Sequence, residues 1–327
     1  MLALIFRPNN PHSTCHAYRR AFEHLGVPFT HIDNNALIAN PHLLDGFDSA
    51  VVLDDGFALK PVTLPNLPDN SVYVGIDMHV GFEDGYLPFL APYKHIFAAQ
   101  YTHGVKVLES WGFRNVSWLP CAWDSIGIPC VPMEPPDDLW YPVCFIASAT
   151  TEQRALLRDV VRYKYDGATQ ESFDETYAER LSSSKIALNV LGGVGHKTFY
   201  NHVNQRTFES LAGGGLLVQQ DLWNPFTSER IPDMELLGLK GVQGWFRNVR
   251  QSNGEHFWDR KEPDGDEHYV YWKDHSSLTA TLDYYLNDAN EDERVAIAER
   301  GRQWVTENHT YIHRARTILN ALGIEHQ

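Results

Sequence analysis

Residues 185–221 read KIALNVLGGVGHKTFYNHVNQRTFESLAGGGLLVQQD, and this stretch is the most informative part of the chain. Its two short apolar runs, 186–190 and 216–219, are bounded by glycine and polar residues, which is typical of buried strands in a parallel sheet covered on both faces. Between them, residues 206–212 predict a short helix that ends at a glycine run. The stretch therefore predicts a strand, a loop, a helix and a second strand of an α/β protein.

Glu209 lies inside that predicted helix, between the apolar residues Phe208 and Leu211. Ligands of open α/β sheets bind outside the carboxyl ends of the strands, and the helix begins at such an end. The glycines at 213–215 allow the chain to leave the helix with positive φ and allow a ligand to approach the backbone closely. The segment therefore predicts half of a nucleotide pocket, with a solvated helix carboxylate or a partner of the helix dipole as the alternative for Glu209.

The order of strand, Asn-x-Arg-Thr-Phe-Glu helix, small-residue turn and apolar strand resembles the donor-binding half of GT-B glycosyltransferases, most closely their spore-maturation (CgeB-like) branch. The resemblance covers residues 141–229 and returns near the C-terminus. It implies that Glu209 binds the ribose hydroxyls of a sugar nucleotide. The broader group carries a second glutamate eight positions earlier, where this chain has Asn201.

A sugar nucleotide also carries a diphosphate, which a metal-free site must neutralise with helix N-termini and cationic side chains. Arg154 follows the strand predicted at 143–147 and a loop of small polar residues. Arg206 lies one helical turn before Glu209, where an ion pair between the two is the alternative. Helix capping is the alternative for Asn204 and for the polar loop. The predicted nucleotide-binding residues are Glu209, Arg206, Arg154, Asn204, Thr207 and Ser148.

The predicted catalytic residues, His79 and Asp77, lie in VYVGIDMHVGFEDG, residues 72–85, directly after a predicted strand. Histidine accepts a proton near neutral pH, and a nearby carboxylate can orient its ring. The chain has sixteen histidines. A surface or hydrogen-bonded role is therefore the alternative for His79.

The order of the predicted elements indicates an α/β fold with two doubly wound Rossmann-like domains facing a cleft, and the resemblance implies that this fold is GT-B-like. Five prolines within 129–142 favour an extended linker, because proline breaks helices and central strands. The predicted parts are an acceptor-side domain at 1–128, the linker, a nucleotide-sugar domain at 143–308 and a last helix at 309–327. The resemblance implies that this last helix crosses back to the first domain.

Bulk composition excludes several classes of protein. The chain has 43% apolar and 21% charged residues, which fits folded domains and excludes a disordered chain. Its net charge of −15 disfavours nucleic acid and anionic membranes as partners. The glycine fingerprint of dinucleotide dehydrogenases does not follow the first strand. Four cysteines without a CxxC pair and no secretory signal predict reduced thiols and a cytoplasmic protein.

These observations predict a glycosyltransferase that moves a sugar from a nucleoside-diphosphate sugar, with UDP favoured, to an unknown hydroxyl acceptor and without a metal or cofactor. One alternative is a nucleotide-sugar-binding protein that lacks transfer activity, which Asn201 favours. Another is a glycosyltransferase that acts on hydroxylated DNA bases.

Asp264 and Asp266 form a DxD pattern. They lie in a polar segment, 247–273, that is expected to be a surface excursion, and the DxD pattern itself is expected to be a solvated turn.

Overall fold

The computed structural model describes residues 1–8, 13–55, 64, 66–76, 86–130, 141–147, 152–170, 176–190, 203–222, 230–244, 247–250, 256–259, 263–272 and 275–326. Contacts divide the chain into two compact units. Unit 1 comprises Met1–Gly127 and His309–Gln327, and unit 2 comprises Ile128–Asn308. The ends of the chain therefore belong to the same unit.

Unit 1 is built on a six-stranded parallel sheet with the strand order β2-β1-β3-β4-β5-β6. Its strands are β1 (Leu2–Phe6), β2 (Phe29–Asp33), β3 (Ser49–Asp54), β4 (Asn70–Gly75), β5 (His95–Ala98) and β6 (Val116–Trp118). Its helices are α1 (Thr14–His24), α2 (Asn34–Ala39), α3 (Tyr86–Leu90), α4 (Lys106–Ser110) and the last helix of the chain, α11 (Tyr311–Leu322). A 3-10 turn (Pro41–Leu44) and a π turn (Tyr101–Val105) complete it.

Strand β1 is apolar along its whole length because both faces of the sheet are covered. Leu4 and Phe6 belong to a core that α1 and α11 complete, whereas Ile5 belongs to the core on the opposite face. The rings of Tyr18 and Tyr311, from α1 and α11, meet edge to face at 4.9 Å. A continuous apolar run is the pattern expected for a central parallel strand.

Helix α11 is attached to unit 1 by polar as well as apolar contacts. Arg314 donates a hydrogen bond from Nε to the carbonyl of Pro120 at 2.8 Å. Asn70, at the start of β4, donates from Nδ2 to the carbonyl of Leu322 at 3.0 Å. The first bond satisfies a backbone carbonyl that follows β6, and the second satisfies one of the last carbonyls of α11.

Unit 2 contains a second six-stranded parallel sheet, with the strand order β11-β14-β10-β9-β7-β8, and a separate antiparallel pair. The sheet strands are β7 (Tyr141–Ile146), β8 (Ala168–Gln170), β9 (Ser184–Asn189), β10 (Leu216–Gln220), β11 (Gly241–Gln243) and β14 (Tyr269–Trp272), and the pair is β12 (Arg247–Arg250) with β13 (His256–Asp259). The helices are α5 (Glu152–Tyr165), α6 (Tyr177–Ser182), α7 (Gln205–Gly213), α8 (Asp233–Leu236), α9 (His275–Tyr285) and α10 (Glu291–Asn308), with a 3-10 turn at Asp288–Asn290.

The prediction that residues 247–273 form only a polar surface excursion is wrong at their end. Strand β14 lies between β10 and β11 in the sheet, and the side chain of Trp272 is fully buried. The segment YVYW has only four residues and follows a charged stretch, so its apolar pattern was too short to predict a strand. Aromatic and β-branched residues nevertheless favour a strand wherever packing covers them.

The predicted fold class is confirmed, because both units hold a parallel sheet with helices between the strands.

All four cysteines are free and buried. Within the described ranges, no helix is both long enough and apolar enough to cross a lipid bilayer. Most of the predicted linker, residues 131–140, lies outside the described residues.

Candidate functional site

The strands β9 and β10 end in polar residues that bond to each other. Asn189 and Gln219 are paired in register, and Nδ2 of Asn189 lies 3.1 Å from Oε1 of Gln219. Thr207, from α7, donates its hydroxyl to the same Gln219 oxygen at 2.8 Å. All three side chains are buried. The network fixes the first turn of α7 to the carboxyl ends of the two strands.

Asn204 is the N-cap of α7. Its Oδ1 accepts a hydrogen bond from the backbone nitrogen of Thr207 at 3.1 Å, and its backbone is extended, as is usual at this position. The capping alternative for Asn204 is therefore what the structure shows. The side chain of Thr207 also has a structural partner in the network, and nucleotide contact by either residue stays a prediction.

Glu209 is completely buried, at 0% exposure, so the alternative of a solvated helix carboxylate is wrong. The Tyr177 hydroxyl, from α6, donates to its Oε2 at 2.5 Å. The Gln205 amide, one turn earlier on α7, donates to its Oε1 at 2.6 Å. A buried carboxylate needs such donors, because an ionised group without them is costly to remove from water.

Two acidic groups near Glu209 are held in their protonated forms. Burial raises the pKa of the Tyr177 hydroxyl well above its usual value, and the charge of Glu209 raises it further. Burial likewise raises the pKa of the Cys130 thiol to about 12, with a further contribution from Glu209. Tyr177 is therefore a hydrogen-bond donor to the carboxylate at any physiological pH.

Arg206 and Arg154 are electrostatic neighbours although they are distant in sequence. Burial lowers the pKa of Arg154, and the positive charge of Arg206 lowers it further. Arg206 also acts on Tyr177, whose pKa its charge lowers. Arg206 is therefore an electrostatic neighbour both of Arg154 and of Tyr177, whose hydroxyl bonds to Glu209. Two cations that repel each other at the carboxyl edge of a sheet form an electrostatic environment suited to an anion.

Several predicted site residues lie outside the described residues. They are the catalytic pair His79 and Asp77, the loop residue Ser148, and Asn201, which stands in the place of the second glutamate. Their roles stay predictions.

Four residues of this site are not among those predicted from the sequence. Asn189 and Gln219 could have been predicted as site residues, because each is a polar residue at or near the end of an apolar strand. Gln205 is placed one turn before Glu209, which also signals a contact. Tyr177 carried no signal, because its contact with Glu209 spans 32 positions and depends on how α6 packs.

A separate cavity of about 520 Å³ lies in unit 2 beside the edge strand β11. Asp264 and Asp266 of the DxD pattern line it. Asp266 pairs with Lys240, and Glu267 accepts hydrogen bonds from the backbone nitrogens of Asp264 and Gly265. Across the described part of the chain, no group of three or more histidine, cysteine or acidic side chains is placed to hold a metal ion.

The model of the family described as glycosyl transferase-like matches residues 154–320, just over half of the chain. The chain belongs to this family. The match includes α5, α7 and α10, and therefore Arg154, Arg206 and Glu209. A sequence comparison with curated proteins gave no match.

Solved structures similar to this glycosyltransferase share its fold over nearly the whole chain. Anabaena Alr3699/HepE in complex with UDP-glucose has a TM-score of 0.61 at 10% identity and covers 99% of each chain. AviGT4, a glycosyltransferase involved in avilamycin A biosynthesis, has a TM-score of 0.59 at 9% identity and covers 98% of this chain and 96% of its own. A glycosyltransferase from Rickettsia africae has a TM-score of 0.56 at 10% identity, with 98% and 97% covered. The fold is GT-B.

Proposed function

We propose that this glycosyltransferase transfers a sugar from a UDP-sugar to a hydroxyl acceptor, with the donor bound at the carboxyl edge of the unit 2 sheet. The proposal depends on one observation: Arg206 acts electrostatically on a second cation, Arg154, and also on Tyr177, the hydrogen-bond donor to Glu209. The guanidinium groups would bind the diphosphate, and the carboxylate would accept hydrogen bonds from ribose. The fold similarity to a UDP-glucose complex supports this choice of donor.

The leaving group of the reaction is the nucleoside diphosphate, which gains negative charge as the bond to the sugar breaks. Cations placed beforehand at that position stabilise the transition state more than the ground state. Arg154 and Arg206 can serve this role through charge-assisted hydrogen bonds, which guanidinium groups form well with phosphate. The arrangement needs no metal ion for charge neutralisation, and we propose metal-independent transfer.

We also propose which residues act on the acceptor hydroxyl. His79 is proposed as the group that takes the proton of the acceptor hydroxyl, with Asp77 orienting the ring, since both follow β4 in the sequence. Membership of the spore-maturation branch is proposed on the Asn-x-Arg-Thr-Phe-Glu motif of α7.

Binding of the donor is tested by thermal-shift measurements and isothermal titration with UDP, UDP-sugars and ADP- and GDP-sugars. A ligand that binds only the folded state raises the unfolding temperature, and UDP compounds are expected to raise it most. Equal shifts with all nucleotides would contradict the choice of UDP. A UDP shift without donor hydrolysis or transfer would favour the binding-protein alternative.

Metal independence is tested by donor hydrolysis in the presence of excess EDTA. The expected rate is unchanged, because the arginines supply the positive charge. Loss of activity with EDTA and its return with manganese would show that the diphosphate is held by a metal ion.

A further inference from the structure

Each oxygen of the Glu209 carboxylate accepts a hydrogen bond from a neighbouring side chain. Tyr177 donates to Oε2 at 2.5 Å and Gln205 donates to Oε1 at 2.6 Å. The last torsion of a glutamate side chain is otherwise broad and does not settle in one orientation. Donors on both oxygens therefore fix the plane of the carboxylate.

The donor from α6 is itself fixed, because α6 and α7 approach each other closely. At Gly213, the last residue of α7, a Cβ atom would lie 2.9 Å from the carbonyl oxygen of Leu181 in α6. Only glycine permits this approach. Tyr177 is buried at the start of α6, so the packing of α6 against α7 places its hydroxyl beside Glu209.

We propose that Tyr177 is a positioning residue that holds the Glu209 carboxylate in the orientation that recognises both hydroxyls of the donor ribose. This inference rests on the proposed function, in which Glu209 binds ribose. A vicinal diol requires two acceptor positions at a set separation and angle, whereas a 2′-deoxyribose offers a single hydroxyl. Tyr177 therefore controls how well the site distinguishes a ribonucleotide from a deoxyribonucleotide.

A site built to bind a hydroxyl discriminates strongly against an analogue that lacks it, since its polar groups then lose their partner. Loss of one hydrogen bond to a charged group corresponds to about a 10-fold change in affinity or more. We expect the wild-type protein to bind UDP at least about 10-fold more tightly than 2′-deoxy-UDP. This ratio reports on the orientation of the carboxylate and is not changed by a general loss of stability.

The experiment measures the affinities of UDP and 2′-deoxy-UDP by isothermal titration for the wild type, Tyr177→Phe and Tyr285→Phe. Tyr285 is a matched control in the same unit, because it is also buried and its hydroxyl donates to a glutamate, Glu293, at 2.8 Å. In Tyr177→Phe, UDP affinity is expected to fall about 5–10-fold while 2′-deoxy-UDP affinity changes little. Tyr285→Phe is expected to keep the wild-type ratio.

The outcomes separate this inference from the proposed function. Wild-type protein that binds no UDP would overturn both. Wild-type discrimination that persists in Tyr177→Phe, with only a lower unfolding temperature, would overturn the positioning role alone and leave Tyr177 as a structural contact between α6 and α7. If Tyr177→Phe does not fold, Gln205→Ala removes the other donor. It is expected to reduce the same ratio, and an unchanged ratio in that variant would also overturn the inference.

Discussion

Nδ2 of Asn189 lies 3.1 Å from Oε1 of Gln219, so the last residue of β9 is bonded to a residue of the neighbouring strand β10 near its end. Thr207 joins both, and through it the first turn of α7 is fixed to the sheet. Arg206 and Glu209 lie on that helix. The buried amides therefore set the position of the residues proposed to bind the donor.

Asn189→Ala is expected to lower the unfolding temperature by several degrees. The substitution removes the hydrogen bonds that the Asn189 amide donates to Gln219 and Thr207, and each lost bond costs about 0.5–1.5 kcal/mol. A change of about 1 kcal/mol shifts the midpoint by roughly 2–4 °C in a domain of this size. Differential scanning calorimetry measures the effect. Gln303→Ala, at an exposed position of α10 in the same unit, is the control and is expected to change stability by less than about 0.5 kcal/mol.

Glu209 is predicted to contribute to both stability and donor binding, and two substitutions separate these contributions. Glu209→Ala removes the acceptor of Tyr177 and Gln205 and should lower the unfolding temperature. Glu209→Gln keeps the shape and one acceptor oxygen, so its unfolding temperature should stay closer to that of the wild type. Both should weaken UDP binding by about 1.5–3 kcal/mol, because a hydrogen bond to a charged group is lost. Normal UDP affinity in Glu209→Gln would show that the carboxylate has only a structural role.

Arg154→Gln is expected to weaken UDP binding about 10-fold or more without lowering the stability of the ligand-free protein. Charge-assisted hydrogen bonds to phosphate contribute about 1.5–3 kcal/mol, whereas removal of one of two repelling cations relieves an unfavourable interaction. Titration calorimetry and thermal unfolding measure the two effects. Arg162→Gln, at an exposed position of the same helix, is the matched control. A large loss of stability in the ligand-free Arg154 variant, with UDP affinity retained, would contradict the role in phosphate binding.

His79→Ala is expected to reduce turnover by about 10²–10⁴ while UDP affinity remains close to that of the wild type. The reason is that His79 is proposed to act on the acceptor hydroxyl and not on the donor. Asp77→Asn should reduce turnover in the same direction, since an orienting carboxylate is lost. A higher acceptor KM with nearly normal kcat would indicate that His79 only positions the acceptor. Wild-type turnover in the variant would remove it from the site.

The longer apolar strands could be predicted from sequence, because parallel strands covered on both faces are continuous apolar runs. β9 and β10 are clear examples: each lies in the interior of its sheet, and the predicted runs, 186–190 and 216–219, match the observed strands within two residues. Strand β14 could not be recognised in the same way. Its four residues follow a charged segment, and they become a strand because β10 and β11 provide backbone partners on both sides.

The sequence by itself determined the α/β class, the helix that carries Glu209 and Arg206, and the glycine turn after it, since these depend on local periodicity and backbone conformation. Tertiary structure decided the environment of those side chains. Tyr177 reaches Glu209, and Arg154 approaches Arg206, only because α5, α6 and α7 pack around one sheet. Contacts between residues dozens of positions apart are set by packing geometry, and no local pattern in the chain encodes their distances.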